Sequence, residues 1–188
     1  IVNEFEDVRE RRPVPKGPLI IYRIERENRT WFYNSDNNYR DNVVAPWVTA
    51  MIAKHIETSK LFKSVTLKKE DAPKEGYLLN GKIKKFEAFK EKTHATEVAA
   101  FFGAVGALAA MSTKSKYEAI TLLTDVTLTE IGSQKILLKE TIEGRLVGED
   151  AADPSGVSVF EKVNLSLKAA VSRLVLLISQ TAATKQRV

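Results

Sequence analysis

Pro18-Leu-Ile-Ile-Tyr-Arg-Ile-Glu25, Pro46-Trp-Val-Thr-Ala-Met-Ile-Ala-Lys-His-Ile-Glu-Thr-Ser59, Leu61-Phe-Lys-Ser-Val-Thr-Leu67 and Tyr77-Leu-Leu-Asn-Gly-Lys-Ile83 follow one another along the chain, and their patterning decides the fold. Ile20, Tyr22 and Ile24 alternate, as a half-buried strand requires. In the second stretch Val48, Met51, Ile52, His55 and Ile56 recur at helical spacing and form one apolar face. Pro46 suits a first helical turn, where its missing N–H costs nothing, and Thr58-Ser59-Lys60 ends the helix. The third and fourth stretches read as strands. The passage is therefore strand, helix, strand, strand, and none of its positions is an evident catalytic group.

Working outward, the strand through Leu79, Gly81 and Ile83 changes phase at Lys84-Lys85 before Phe86 and Phe89, which predicts a bulge. A hairpin follows. Its first strand, 117–130, is apolar at Ile120, Leu122, Val126 and Leu128. Its second, 135–147, is apolar at Ile136, Leu138, Ile142 and Leu146. Ile131-Gly132-Ser133 turns the chain, with the glycine available for positive φ. Ser158-x-x-Glu161 matches a capping box and opens a last helix whose apolar face, Phe160, Val163, Leu167, Val171, Leu174 and Ile178, runs for about six turns. The predicted architecture is a mixed α/β (α+β) sheet of about five strands with two amphipathic helices on one face. Its order is β-α-β-β-(apolar insertion)-β-β-α, with the first helix crossing between neighbouring parallel strands.

Residues 1–17, charged and broken by Pro13, Pro15 and Gly17, read as a tether or extended arm. Residues 18–180 form a single domain carrying an apolar insertion at 95–114, and residues 181–188 are expected to fray. A chain of 188 residues buries roughly 70% of its unfolded surface, enough for one core without metal or disulfide staples. Hydrophobic residues at 44% and charged residues at 28% exclude wholesale disorder and a polytopic membrane protein. The net charge of +5 arises from 29 basic residues interspersed with 24 acidic ones. Lys82 to Lys92 is the densest basic stretch; broken by Glu87 and Glu91, it reads as a solvated strand face rather than a nucleic-acid groove.

No cysteine is present, which excludes disulfides, zinc-thiolate sites and thiol catalysis. Phosphate loops, dinucleotide fingerprints, nucleophile elbows and zinc helices are likewise missing from the sequence. His55 sits on the apolar helix face and reads as a packed or edge-exposed side chain rather than a ligand, and His94 has no spaced ligand partner. Asp150 and Asp153 beside Glu149 lack calcium-loop spacing, and Asp153-Pro154-Ser155-Gly156 reads as a turn. No cofactor is expected.

Two segments are candidates for a partner. Trp31-Phe32-Tyr33 lies in a polar, Asn-rich stretch; consecutive aromatics on a strand cannot all face one core, so the triplet either caps the core edge or forms a binding loop. Val98 to Met111, fourteen residues without a charge, is too short to span a bilayer alone. It is either a buried helix or hairpin tip covering the sheet, or an exposed contact patch built on Phe101, Phe102 and Leu108.

Lys60-Leu61-Phe62, Val65, Gly76-Tyr77 and Leu79-Asn80-Gly81-Lys82-Ile83, within the element order above, resemble bacterial envelope lipoproteins that share the fold of the TolB amino-terminal domain. That group includes auxiliary lipoproteins of ABC-type transport systems, curli-export lipoproteins and penicillin-binding-protein activators. The resemblance covers residues 18–180, with Glu75-Gly76-Tyr77 standing where the group carries Ala-Asp-Tyr. It implies a non-catalytic adaptor or accessory subunit, periplasmic and anchored to the outer membrane, that engages an envelope protein or itself. The start at Ile1 rather than Met fits that expectation through a removed signal peptide and a lipid-bearing cysteine upstream. Two other classes stay open: an enzyme on an anionic envelope substrate, using the Lys82–Lys92 face with Glu140 or Glu143, and a weak nucleic-acid-binding module.

Overall fold

The computed structural model describes residues 1–9, 21–26, 29–34, 44–67, 75–91, 114–151 and 157–185. The elements are β1 (Glu6–Asp7), β2 (Ile21–Arg26), β3 (Arg29–Asn34), α1 (Val44–Thr58), β4 (Tyr77–Glu91), β5 (Lys114–Glu130), β6 (Ile136–Ala151) and α2 (Val157–Lys185). One mixed sheet runs β2-β3-β4-β5-β6, with β1 parallel to β4 and the other neighbours antiparallel. Both helices bury their apolar faces in the same core, through Val48, Ile52 and Ile56 of α1 and Val163, Leu167, Val171, Leu174 and Ile178 of α2. The expected α+β class stands. Met51, expected to be buried with them, is only partly covered.

The first nine residues correct the reading of 1–17 as a tether. Val2 forms parallel bridges to both Leu67 and Leu79, and Phe5 is fully buried. The Phe5 N–H donates to Thr49 Oγ1 at 2.9 Å, and that hydroxyl donates onward to Ala45 O at 2.7 Å. The segment escapes a periodicity search because only Val2 and Phe5 reach the core, three residues apart among polar and charged neighbours. Residues 10–17 lie outside the described residues.

This placement also moves the parallel crossover. The helix α1 lies on the connection between the parallel-paired Val2 and Leu67, whereas β2, expected to precede the helix as its parallel strand, pairs with β3 as an antiparallel hairpin. The expected strand at 61–67 shrinks to the single bridge at Leu67, supported by Val2 N–H to Thr66 O at 2.8 Å. Helix α1 ends as its sequence suggests. Lys60 takes the left-handed conformation at φ 55°, and the hydroxyls of Thr58 and Ser59 bond back to Lys54 O and Ile56 O.

The phase change in β4 is present as register shifts between Asn80 and Lys82 and between Ile83 and Lys85. A second bulge, absent from the sequence reading, lies in β5, where Asp125 adopts φ 51° and the ladder jumps from Leu123 to Val126. Buried residues are therefore Ala119, Thr121 and Leu123 before it and Val126 and Leu128 after it. Ile120 and Leu122, expected on the core face, are half-buried on the other side of the sheet. The β5–β6 turn places its positive φ at Gln134 (55°) rather than at Gly132, and Ile136 is 55% exposed. Helix α2 continues to Lys185 where fraying was expected from 181.

Two glycines are needed for close approach. A Cβ on Gly81 would stand 2.2 Å from Phe5 Cε1, and one on Gly144 would stand 2.0 Å from Ser166 O. The first lets the amino-terminal segment seat its ring on β4. The second lets α2 lie directly on β6, beside the buried Thr121–Ser166 hydroxyl pair at 2.7 Å.

Candidate interaction surface

Strand β6 stands at the end of the sheet order and, among the described residues, pairs only with β5. Its 16 residues extend about 50 Å at strand rise. Leu138, Ile142 and Gly144 are buried on the helix side, and Leu146 packs partly against the core. The opposite side carries Lys139, Thr141, Glu143, Arg145, Val147 and Glu149, all exposed. Arg145 reaches across to Glu118 at 2.7 Å. Anchoring on one side holds the strand in place while, among the described residues, nothing pairs with the backbone N–H and C=O groups of its outer edge. Such an edge is a template for an added strand.

Charged residues on an edge strand oppose indiscriminate pairing. The alternation Lys139, Glu143, Arg145, Glu149 was available in the sequence as the mark of an edge, although the order of strands was not.

The candidate aromatic triplet sits elsewhere. Trp31, Phe32 and Tyr33 belong to β3, an inner strand, rather than to a loop: their backbones pair with Ile24, Arg23 and Tyr22 of β2, and Trp31 and Phe32 also with Glu91 and Lys90 of β4. Neither alternative given for the triplet, a cap on the core edge or a binding loop, included the β2–β3 hairpin, whose register closes at Arg26 and Arg29. Phe101, Phe102 and Leu108 lie outside the described residues, as does His94.

The remaining candidates for chemistry are dispersed. Among the described residues no group of three or more His, Asp or Glu side chains is placed to hold a metal ion. His55 is half-buried, with Nε2 enclosed and bonded to no described residue. Glu140 and Glu143 are both exposed. In the basic stretch, Lys82 bonds Asp125 at 3.1 Å, and the hydrogen bond and charge of Asp125, with a smaller contribution from Glu6, raise the Lys82 pKa. Lys162 lies 4.5 Å from the centre of the Tyr117 ring, a cation–π contact that ties α2 to β5.

No family model matches the chain, and no curated protein does. Among solved structures the fold is similar to the crystal structure of protein XCC0632 from Xanthomonas campestris, a protein of the DUF330 family. The TM-score is 0.51 at 12% identity, covering 100% of this chain and 86% of that one. At this identity the similarity establishes the shared fold alone.

Proposed function

We propose that this chain is a non-catalytic adaptor of the bacterial cell envelope, an accessory subunit in transport or assembly of envelope components, and that it takes an extended segment of its partner onto the β6 edge. The edge of β6 carries the reading: a 16-residue strand paired on one side, with its inner face locked to the core. Main-chain bonds supply affinity in strand addition, and side chains at alternate positions supply specificity. Here the outward positions ask for a partner strand with opposite charges facing Lys139, Glu143 and Arg145. The resemblance of Lys60-Leu61-Phe62 and Leu79-Asn80-Gly81-Lys82-Ile83 to envelope lipoproteins supports a periplasmic setting with an outer-membrane anchor.

Photo-crosslinking in cells tests the proposal. A crosslinking amino acid at Thr141, Glu143 or Val147 is expected to give one adduct of defined size, and the same amino acid at exposed Leu61 is not. Thr141 has no ladder partner on β5. Thr141→Pro is therefore expected to abolish capture from 143 and 147 while the melting temperature stays near that of the parent. Capture that is equal from Leu61, or unaffected by the proline, would refute the edge as the site.

A further inference from the structure

Along its exposed side β6 presents Lys139, Thr141, Glu143, Arg145, Val147 and Glu149 in succession. The row complements its own reverse. An antiparallel copy turned about an axis at Gly144 sets Lys139 opposite Glu149, Glu143 opposite Arg145 and Thr141 opposite Val147, and each pair occurs twice. Opposite charges directly across a strand pair stabilise it, and like charges oppose it. Neighbouring registers lose the match. An axis at Glu143 or at Arg145 sets that charge against itself, one at Ile142 opposes Lys139 to Arg145, and one at Leu146 opposes Glu143 to Glu149. A parallel in-register pair would place every charge beside its like.

The helix layer fits the same register. Thr121 of β5 and Gly144 of β6 are ladder partners, and α2 stands over both. Ser166 Oγ bonds the Thr121 hydroxyl at 2.7 Å, while Ser166 O and Ala170 N close over Gly144. Near the axis, α2 therefore lies above the gap between the last two strands. A copy added edge to edge places its own α2 two strand spacings away, about 9.5 Å. Packed helices stand about 8–10 Å apart. We infer that the strand received by the β6 edge is β6 of a second copy, antiparallel and centred on Gly144, so that two sheets join into one beneath a pair of adjacent α2 helices. The inference rests on the edge reading above and names the occupant of that edge.

Sedimentation of the purified full chain and disulfide trapping test it together. The parent is expected to dimerise with concentration, and Thr141→Pro to remain monomeric. Lys139→Glu turns two attractive pairs into repulsive ones and should weaken the dimer about tenfold or more. Glu149→Lys should weaken it likewise, and mixing the two variants should restore a heterodimer, since every charged pair is then opposite again. The native chain has no cysteine, so introduced thiols report the register alone. Directly opposed residues have Cα atoms about 4.5–5.5 Å apart, inside the roughly 4.4–6.8 Å that a disulfide spans. Thr141→Cys mixed with Val147→Cys should form a covalent dimer under mild oxidation, and neither variant alone should. The inference fails if the parent stays monomeric at every concentration, if Thr141→Pro dimerises unchanged, or if each single cysteine variant crosslinks to itself as fast as the mixture. A monomeric parent whose edge crosslinkers still capture a different envelope protein, with capture lost in Thr141→Pro, overturns self-pairing and leaves the edge reading in place. A monomeric parent without edge-dependent capture overturns both.

Discussion

Replacing Phe5 by alanine separates an amino-terminal arm from an amino-terminal strand. An arm would tolerate the change. In the structure Phe5 is fully buried, its ring lies over Gly81, and its N–H is bonded to Thr49 Oγ1. Truncating a phenylalanine in such a site removes about 3–5 kcal/mol, a large part of the roughly 5–15 kcal/mol that holds a domain folded. With a urea m-value of about 2 kcal/mol per molar, the unfolding midpoint should fall by about 1.5–2.5 M at unchanged m.

Gly81 supplies the internal control. Gly81→Ala in the parent sets a Cβ 2.2 Å from the ring and must displace it, so it should destabilise strongly. In the Phe5→Ala background the obstacle is gone, and the same change should be neutral or stabilising by about 0.5–1 kcal/mol, since alanine loses less backbone entropy than glycine in a strand. The expected non-additivity is the signature of direct contact. A midpoint shift below about 0.3 M for Phe5→Ala, less than about 0.6 kcal/mol at that slope, would refute the seating of the ring. So would an equal cost for Gly81→Ala in both backgrounds.

Gly144→Ala should destabilise more than a typical surface change and weaken the cation–π pair of Lys162 and Tyr117, because its Cβ meets α2 backbone that cannot swing aside; thermal unfolding reads the first and Tyr117 fluorescence the second. Leu167→Ala, 1% exposed, should cost about 2–5 kcal/mol in chemical denaturation. Thr121→Val should cost only about 0.5–1.5 kcal/mol, since Ser166 Oγ keeps its bond to Val163 O at 2.8 Å. Lys82, with its pKa raised in the folded state, contributes stability that is complete below its ordinary value of 10.5 and is lost as pH climbs through the higher folded value. Asp125→Asn should remove most of that alkaline dependence, leaving the smaller contribution of Glu6, and salt should weaken it, as measured by melting temperature against pH.

Local patterning determined much of this protein by itself. The faces of α1 and α2, the end of α1 at Thr58-Ser59-Lys60, the β5–β6 hairpin and the phase change in β4 all follow from neighbouring residues, because a helix face or a strand bulge is written within a few positions of where it occurs. The α+β class follows from those elements in order. Tertiary structure decided what depends on partners distant in sequence. Val2 and Phe5 carry no period and are held against the sheet only because Leu67, Leu79 and Gly81 offer them bridges and a seat more than sixty residues away. The bulge at Asp125 rests on one non-glycine residue accepting positive φ, which no local pattern announces. The charge row from Lys139 to Glu149 stands in the sequence for any reader, but it acquires a meaning only once strand order leaves β6 at the end of the sheet with α2 over its last gap. A residue's hydrophobicity or charge states what it seeks, and only the assembled fold determines which rows find that partner within the chain and which must find it outside.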